Sequence, residues 1–141
     1  MMRKIPKKVS AQRSRIMRAV KSSNTKPEMI VRRIAFGMGY RYRLHRRDLP
    51  GTPDLVFVAR RKVLFVHGCF WHGHVCPRGS RTPKHNKSYW IAKISRNKQR
   101  DASNLRKLRK MGWRYLVLWE CKLSDALKLG ARLRDFLKPA L

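Results

Sequence analysis

Acidic residues are scarce in this chain. Asp and Glu total seven against 36 Lys and Arg, giving a formal net charge of +29 over 141 residues. Such an excess repels itself unless a polyanion neutralises part of it, so nucleic acid is the expected partner. The cations are spread along the whole chain, as a general field. Charge alone fits a ribosomal or chromatin-type packing protein equally well. Cysteine is also sparse. Three in a chain read as non-secreted exclude a disulfide framework and leave free thiols or a metal site. No run of about 18 apolar residues occurs, so no membrane span is expected. The opening MMRKIPKKVS is basic but lacks an apolar core, so it does not read as a secretory signal. A cytoplasmic monomer is expected. Hydrophobic residues make up 43%, which excludes a disordered basic tail and supports one domain with a proper core.

The stretch from 53 to 76, PDLVFVARRKVLFVHGCFWHGHVC, holds most of the chemistry. Two β-branched and aromatic runs flank a basic turn, a pattern that predicts a β-hairpin. Asp54 starts the first run and His67 ends the second, so the hairpin places both at one end of a sheet. A carboxylate with backbone carbonyls and water suits Mg²⁺. Phosphodiester hydrolysis then needs a base for the attacking water, and His67 and His72 are the candidates. Cys69, His74 and Cys76 are too close for a regular zinc finger but suit a loop around one ion. Cys121 supplies a fourth ligand, giving a closed Cys3His zinc site that staples the loop without a disulfide. Phe70 and Trp71 either pack that loop on the core or wedge between bases. Trp90 is a third wedge or a core anchor.

Around this stretch, residues 1–9 read as a flexible basic arm and 10–141 as a single domain opening with a short helix over 10–20. Thr25 and Glu28 have capping-box spacing for a helix to about Gly37 with Met29, Ile30, Ile34 and Phe36 as its apolar face. On residues alone, Glu28 caps this helix. Residues 40–45 alternate aromatic or apolar with basic, predicting an edge strand. A long helix runs from Tyr89 to about Met111 with Ile91, Ile94, Leu105 and Leu108 inward, and there Asp101 reads as solvated. Residues 113–120 predict a third, well-buried strand ending at Cys121. Ser124 or Asp125 caps a final helix with Leu127, Leu129, Leu133, Phe136 and Leu137 as core residues. The order predicts an α/β fold, a small central mixed sheet flanked by helices on both faces.

NTKPE at 24–28, RYRLHRRDLPGTPDLVF at 41–57, VHGCFWHGHVC at 66–76 and GWRYLVLWEC at 112–121 together closely resemble the Vsr family of very-short-patch-repair mismatch endonucleases. The resemblance covers roughly residues 11–122. It implies a restriction-endonuclease-like fold and Mg²⁺-dependent nicking 5′ of the thymine in T:G mismatches left by 5-methylcytosine deamination. It implies double-stranded DNA as substrate, a functionally paired cytosine-5 methyltransferase, mismatch-repair proteins as partners, and a bacterial, nucleoid-associated setting. By resemblance, Asp54 and the Val66 backbone carbonyl hold Mg²⁺, His72 is the general base, and His67, Glu28 and Asp101 support it. Zinc falls on Cys69, His74, Cys76 and Cys121, and the DNA wedge on Phe70, Trp71 and Trp90. Val66 stands where the family usually has threonine, and Gly73 where it often has histidine, which is expected to loosen the loop. A restriction-type cutter of the same fold and a non-catalytic zinc-containing binding protein are the alternatives.

Overall fold

The computed structural model describes residues 25–77, 79–80 and 84–139. The basic arm expected over 1–9 and the helix expected over 10–20 lie outside the described residues. Helix α1 (Lys26–Gly37) starts where Thr25 Oγ1 accepts the Glu28 N–H at 3.3 Å, with Pro27 in its first turn. Its buried stripe is Glu28, Val31 and Ala35, a helical i, i+3, i+7 row. The expected face of Met29, Ile30, Ile34 and Phe36 is therefore rotated: Ile30 and Phe36 are 37% and 56% exposed. A search for apolar periodicity alone passes over a row that contains a carboxylate.

Strands β1 (Arg43–Leu44), β2 (Leu55–Phe57), β3 (Lys62–His67) and β4 (Arg114–Trp119) form one sheet in that order. β1 and β2 pair antiparallel, as do β2 and β3, while β3 and β4 run parallel. The parallel pair is joined by helix α2 (Lys87–Lys110), and helix α3 (Ala126–Leu137) follows β4. β2 and β3 are sandwiched between helices on both faces, which is why they read as unbroken apolar runs. Leu55, Phe57, Leu64 and Leu118 pack against Val31 and Ala35 of α1 and Leu129, Leu133 and Leu137 of α3. Val56, Val63 and Phe65 pack on the other face against Leu108 of α2 and Trp113. Lys62, buried at the start of β3, donates to the Phe136 and Lys138 carbonyls at 2.5 and 3.1 Å, pinning the end of α3 to the sheet.

Four expectations need correction. The edge strand is two residues long, because His45 turns into the left-handed region at φ 48°. β4 is half-buried, with only Leu118 fully enclosed, and it ends at Trp119, so Cys121 sits in a 3-10 turn, Glu120–Lys122. Ile91 is 55% exposed because it borders a groove with Phe70 and Trp90. Leu127 is 87% exposed in the first turn of α3, which Asp125 caps by accepting the Leu127 and Lys128 N–H groups at 3.1 Å. Among the described residues, no helix is long and apolar enough to cross a membrane.

Candidate active site and metal centre

The antiparallel β2–β3 pairing brings Asp54 and His67 to one end of the sheet, as the hairpin pattern predicts. The Asp54 N–H donates to the Leu64 carbonyl at 3.0 Å, and the carboxylate accepts the Val66 N–H at 2.7 Å. Burial pushes Asp54 up to about 6; the Val66 N–H offsets part of this and the nearby Glu28 carboxylate adds to it. An ionised carboxylate is therefore held here in a setting that undercompensates its charge.

Glu28 arrives from α1. Thr25 caps the helix through the Glu28 N–H, and the buried Glu28 carboxylate lies 2.8 Å from His45 Nε2 and 3.5 Å from Arg32. His45 is the residue that sequence reading missed. Its N–H donates to the Asp54 carbonyl at 3.2 Å, tying the turn after β1 to the start of β2. Glu28, His45 and Asp54 each place one ligand atom within 4.8 Å of the others. Two carboxylates and an imidazole at that spacing fit a hard divalent cation.

Against this cluster lies a second. The rings of His67 and His72 stack in parallel, 3.7 Å between centroids and 3° between planes. His72 Nδ1 sits 2.6 Å from an Asp101 carboxylate oxygen on α2. That pairing holds the proton on Nδ1 and leaves Nε2 as a proton acceptor. Burial, then the neighbouring His72, pushes His67 down to about 4, so His67 is neutral at pH 7. Its buried Nδ1 has no hydrogen-bond partner among the described residues. Asp101, which alone reads as a solvated helix residue, is thus turned into the site. A cleft of about 680 Å³ spans the two clusters, lined by His45, Asp54, Val66, His67, His72 and Asp101 with Arg47 and Arg100. Gly51 also lines it at φ 79°; a Cβ there would meet the Phe65 ring at 3.1 Å and Asn104 at 3.2 Å.

The loop after β3 gathers Cys69, His74 and Cys76 with Cys121 beyond β4, all four ligand atoms within 4.8 Å of one another. His74 Nδ1 and Cys121 Sγ are 3.5 Å apart. A tetrahedral zinc with bonds of about 2.3 Å to sulfur and about 2.0 Å to nitrogen requires an edge of about 3.5 Å. Burial pushes the Cys69 thiol up to about 12. At Cys76 burial acts in the same sense, but the Gly79 N–H, His74 and the neighbouring sulfurs prevail and bring it to about 6. Such a donor set suits a soft or borderline cation. The indole of Trp119 stacks on His74 at 4.2 Å and meets His67 edge-on at 5.2 Å, joining the two centres physically.

Phe70, Trp71 and Trp90 form one mutual cluster with centroids 5.2 to 5.7 Å apart, to which Tyr89 adds a further ring at 5.1 Å from Trp90. The Trp71 carbonyl accepts from Asn97 on α2 at 2.9 Å. Gly73 has a packing role. It stands at φ 66°, and a Cβ there would meet Lys98 at 2.6 Å and Ile94 at 2.9 Å, so glycine lets the loop lie against α2.

Residues 7–78 match the family model described as DNA mismatch endonuclease Vsr. The chain is 52% identical over 134 residues to the type II nicking enzyme V.XorIIP of Xanthomonas oryzae pv. oryzae, covering 94% of this chain and 98% of the relative. It is 39% identical over 129 residues to V.NmeAIP, a type II nicking enzyme of Neisseria meningitidis, covering 92% and 91%. With DNA mismatch endonuclease Vsr of Escherichia coli it shares 39% over 119 residues, 84% of this chain and 76% of the relative. The cleft, its imidazoles and its carboxylates thus belong to a member of the Vsr family, a DNA endonuclease.

Proposed function

We propose that the chain nicks one strand of duplex DNA 5′ of the thymine in a T:G mismatch, in a Mg²⁺-dependent reaction that starts very short patch repair. One observation carries the chemistry: a His72–Asp101 dyad, 2.6 Å apart, shares a cleft with Asp54, whose carboxylate clusters with Glu28 and His45. His72 Nε2 takes the proton of the attacking water, and Asp101 holds the imidazole in the required tautomer and stabilises the imidazolium that forms. His67, neutral and stacked on His72, positions that ring and offers its own imidazole to the phosphate. Asp54 and the Val66 carbonyl would hold Mg²⁺, with Glu28 orienting water beside it. When bound, the ion supplies Lewis-acid stabilisation of the charge that develops on the phosphate. The Val66 N–H on Asp54 supports a backbone role for this position, which valine meets as well as threonine.

Zinc on Cys69, His74, Cys76 and Cys121 would be structural. The fold would be restriction-endonuclease-like. Phe70, Trp71 and Trp90 would open the base stack beside the mismatch, which is cheapest where stacking is already poor. A monomer working on nucleoid DNA beside a cytosine-5 methyltransferase, with mismatch-repair proteins following, completes the reading. The relatives called type II nicking enzymes favour a cut in one strand. The test is an end-labelled duplex carrying one T:G or one T:A pair, incubated with Mg²⁺ or EDTA. A single Mg²⁺-dependent nick beside the mismatched thymine is expected. Equal cutting of the T:A duplex would replace this reading with a restriction-type endonuclease.

A further inference from the structure

The active site occupies one end of the sheet. The other end, where β3 and β4 begin and α2 finishes, carries Arg60, Arg61, Lys107, Arg109, Lys110 and Arg114, all exposed. β3 covers about 17 Å from Lys62 to His67, and α2 rises about 13 Å from Asp101 to Lys110. None of these six cations forms an ion pair with a described residue. The nearby Asp135 is 3.8 Å from Lys138 instead.

Charge alone would make this a solvated face, but three of these side chains, Arg60, Arg61 and Arg109, are held in place. Arg61 sits at φ 52°, a left-handed conformation that costs energy for a side-chain-bearing residue. Its guanidinium lies 4.8 Å over the Trp113 ring and donates to the Met111 carbonyl at 2.7 Å. Arg109 lies over Tyr115 at 5.4 Å and donates to its hydroxyl at 2.9 Å, and Arg60 lies over Tyr40 at 4.9 Å. Guanidiniums ordered on aromatic faces lose less entropy when they bind phosphate. The buried Lys62 ammonium registers the field: burial first, then Arg114 and Arg60, hold its pKa below the ordinary lysine value.

We propose that this distal cationic pole is a second duplex-DNA binding site. It engages the phosphates of a DNA segment other than the one in the active-site cleft. The cleft lies where β3 finishes and the pole where β3 and β4 begin, so a straight duplex seated across the cleft does not also cover the pole. A second segment does, whether from another molecule or from a distant stretch of the same one. An enzyme seeking rare sites would hold one segment while sampling another. The inference requires only that the chain acts on DNA and is independent of mismatch specificity.

The experiment measures how many short matched duplexes the whole chain binds, by sedimentation at about 50 mM salt, where phosphate contacts are strong. The wild type should take two per monomer, and the Lys107→Gln/Lys110→Gln/Arg114→Gln variant one. At lower salt, where a residual second step of the variant becomes measurable, its log–log salt slope should be smaller by nearly three, the loss of about three phosphate contacts. Nicking of a short mismatched duplex by the variant should stay within about twofold of wild type, and its melting temperature should hold or rise, since like charges have been removed. A control variant, Lys122→Gln/Lys128→Gln/Arg132→Gln, removes the same charge elsewhere and should keep the second duplex. Saturation of the wild type at one duplex overturns the inference, as does equal loss in both variants, which would mean a diffuse field. One duplex per monomer together with tight, pole-dependent binding of a polyglutamate peptide would overturn it in favour of an acidic protein. Two duplexes without any nicking would leave it standing while the proposed function failed.

Discussion

At Asp54 stability and chemistry oppose one another. Its folded pKa of about 6 lies above the ordinary 3.8, so the protonated form is the one that folding favours. Asp54 therefore costs nothing below about pH 4 and destabilises the metal-free protein increasingly as pH rises through 6, by on the order of 2–3 kcal/mol at neutrality. In EDTA at pH 7.5, Asp54→Asn should melt several degrees above wild type, with the gap closing by about pH 4, while in Mg²⁺ its nicking disappears. Thermal melts across pH decide it; a variant less stable at every pH would mean that the carboxylate is structural. His72→Ala should lower nicking by about 10²–10⁴-fold at unchanged DNA affinity, the range for one general base. Asp101→Asn should lower it less and shift the pH profile, because the amide no longer stabilises the imidazolium. Single-turnover rates against pH separate the two. The pairing of Asp54 with His67 was legible in the sequence because a hairpin leaves no other arrangement for those ends. Glu28 read as a cap because capping and site roles share one spacing, and the buried 28, 31, 35 row shows only once the helix is seen. His45 left no signal: its place depends on a positive φ that the alternating pattern around it does not encode.

The hairpin and the Cys/His loop were legible at the scale of elements for different reasons. β2 and β3 are covered on both faces, so their apolar runs are continuous and their boundaries plain. The loop announces itself because its four metal-type ligands include every cysteine in the chain. The helix faces were harder. Ile91 and Leu127 fall on apolar stripes but lie where no element among the described residues covers them, a property of the ends of α2 and α3 that periodicity cannot report. Stapling has a direct consequence, since metal binding at a closed site is folding free energy. Cys121→Ser should lose zinc and melt well below wild type, and chelation of wild type should bring it to the same melting point. Zinc per chain, measured by elemental analysis beside the melts, tests this; one retained zinc in the variant would refute the ligand set. Trp119 bridges His74 to His67, so zinc removal followed by restoration of Mg²⁺ should also leave nicking depressed in protein that is still folded.

For the whole molecule, +29 acts on two equilibria with opposite signs. Folding brings the cations together and is opposed by their repulsion; DNA binding places phosphates among them and is favoured. Screening weakens both effects, as the Debye length falls from about 30 Å at 0.01 M to about 10 Å at 0.1 M salt. The free protein should therefore melt at higher temperature as sodium chloride rises from about 20 to about 300 mM, while its affinity for duplex DNA drops steeply. With saturating duplex the order reverses. The complex should be most stable at low salt and lose its advantage as salt rises, because binding to the folded state adds stability in proportion to the logarithm of affinity. Paired melting curves with and without duplex should then converge with increasing salt. A free protein whose melting temperature falls with salt would show that attractive pairs dominate its surface. Neutralisation by phosphate would then no longer explain how so basic a chain stays folded.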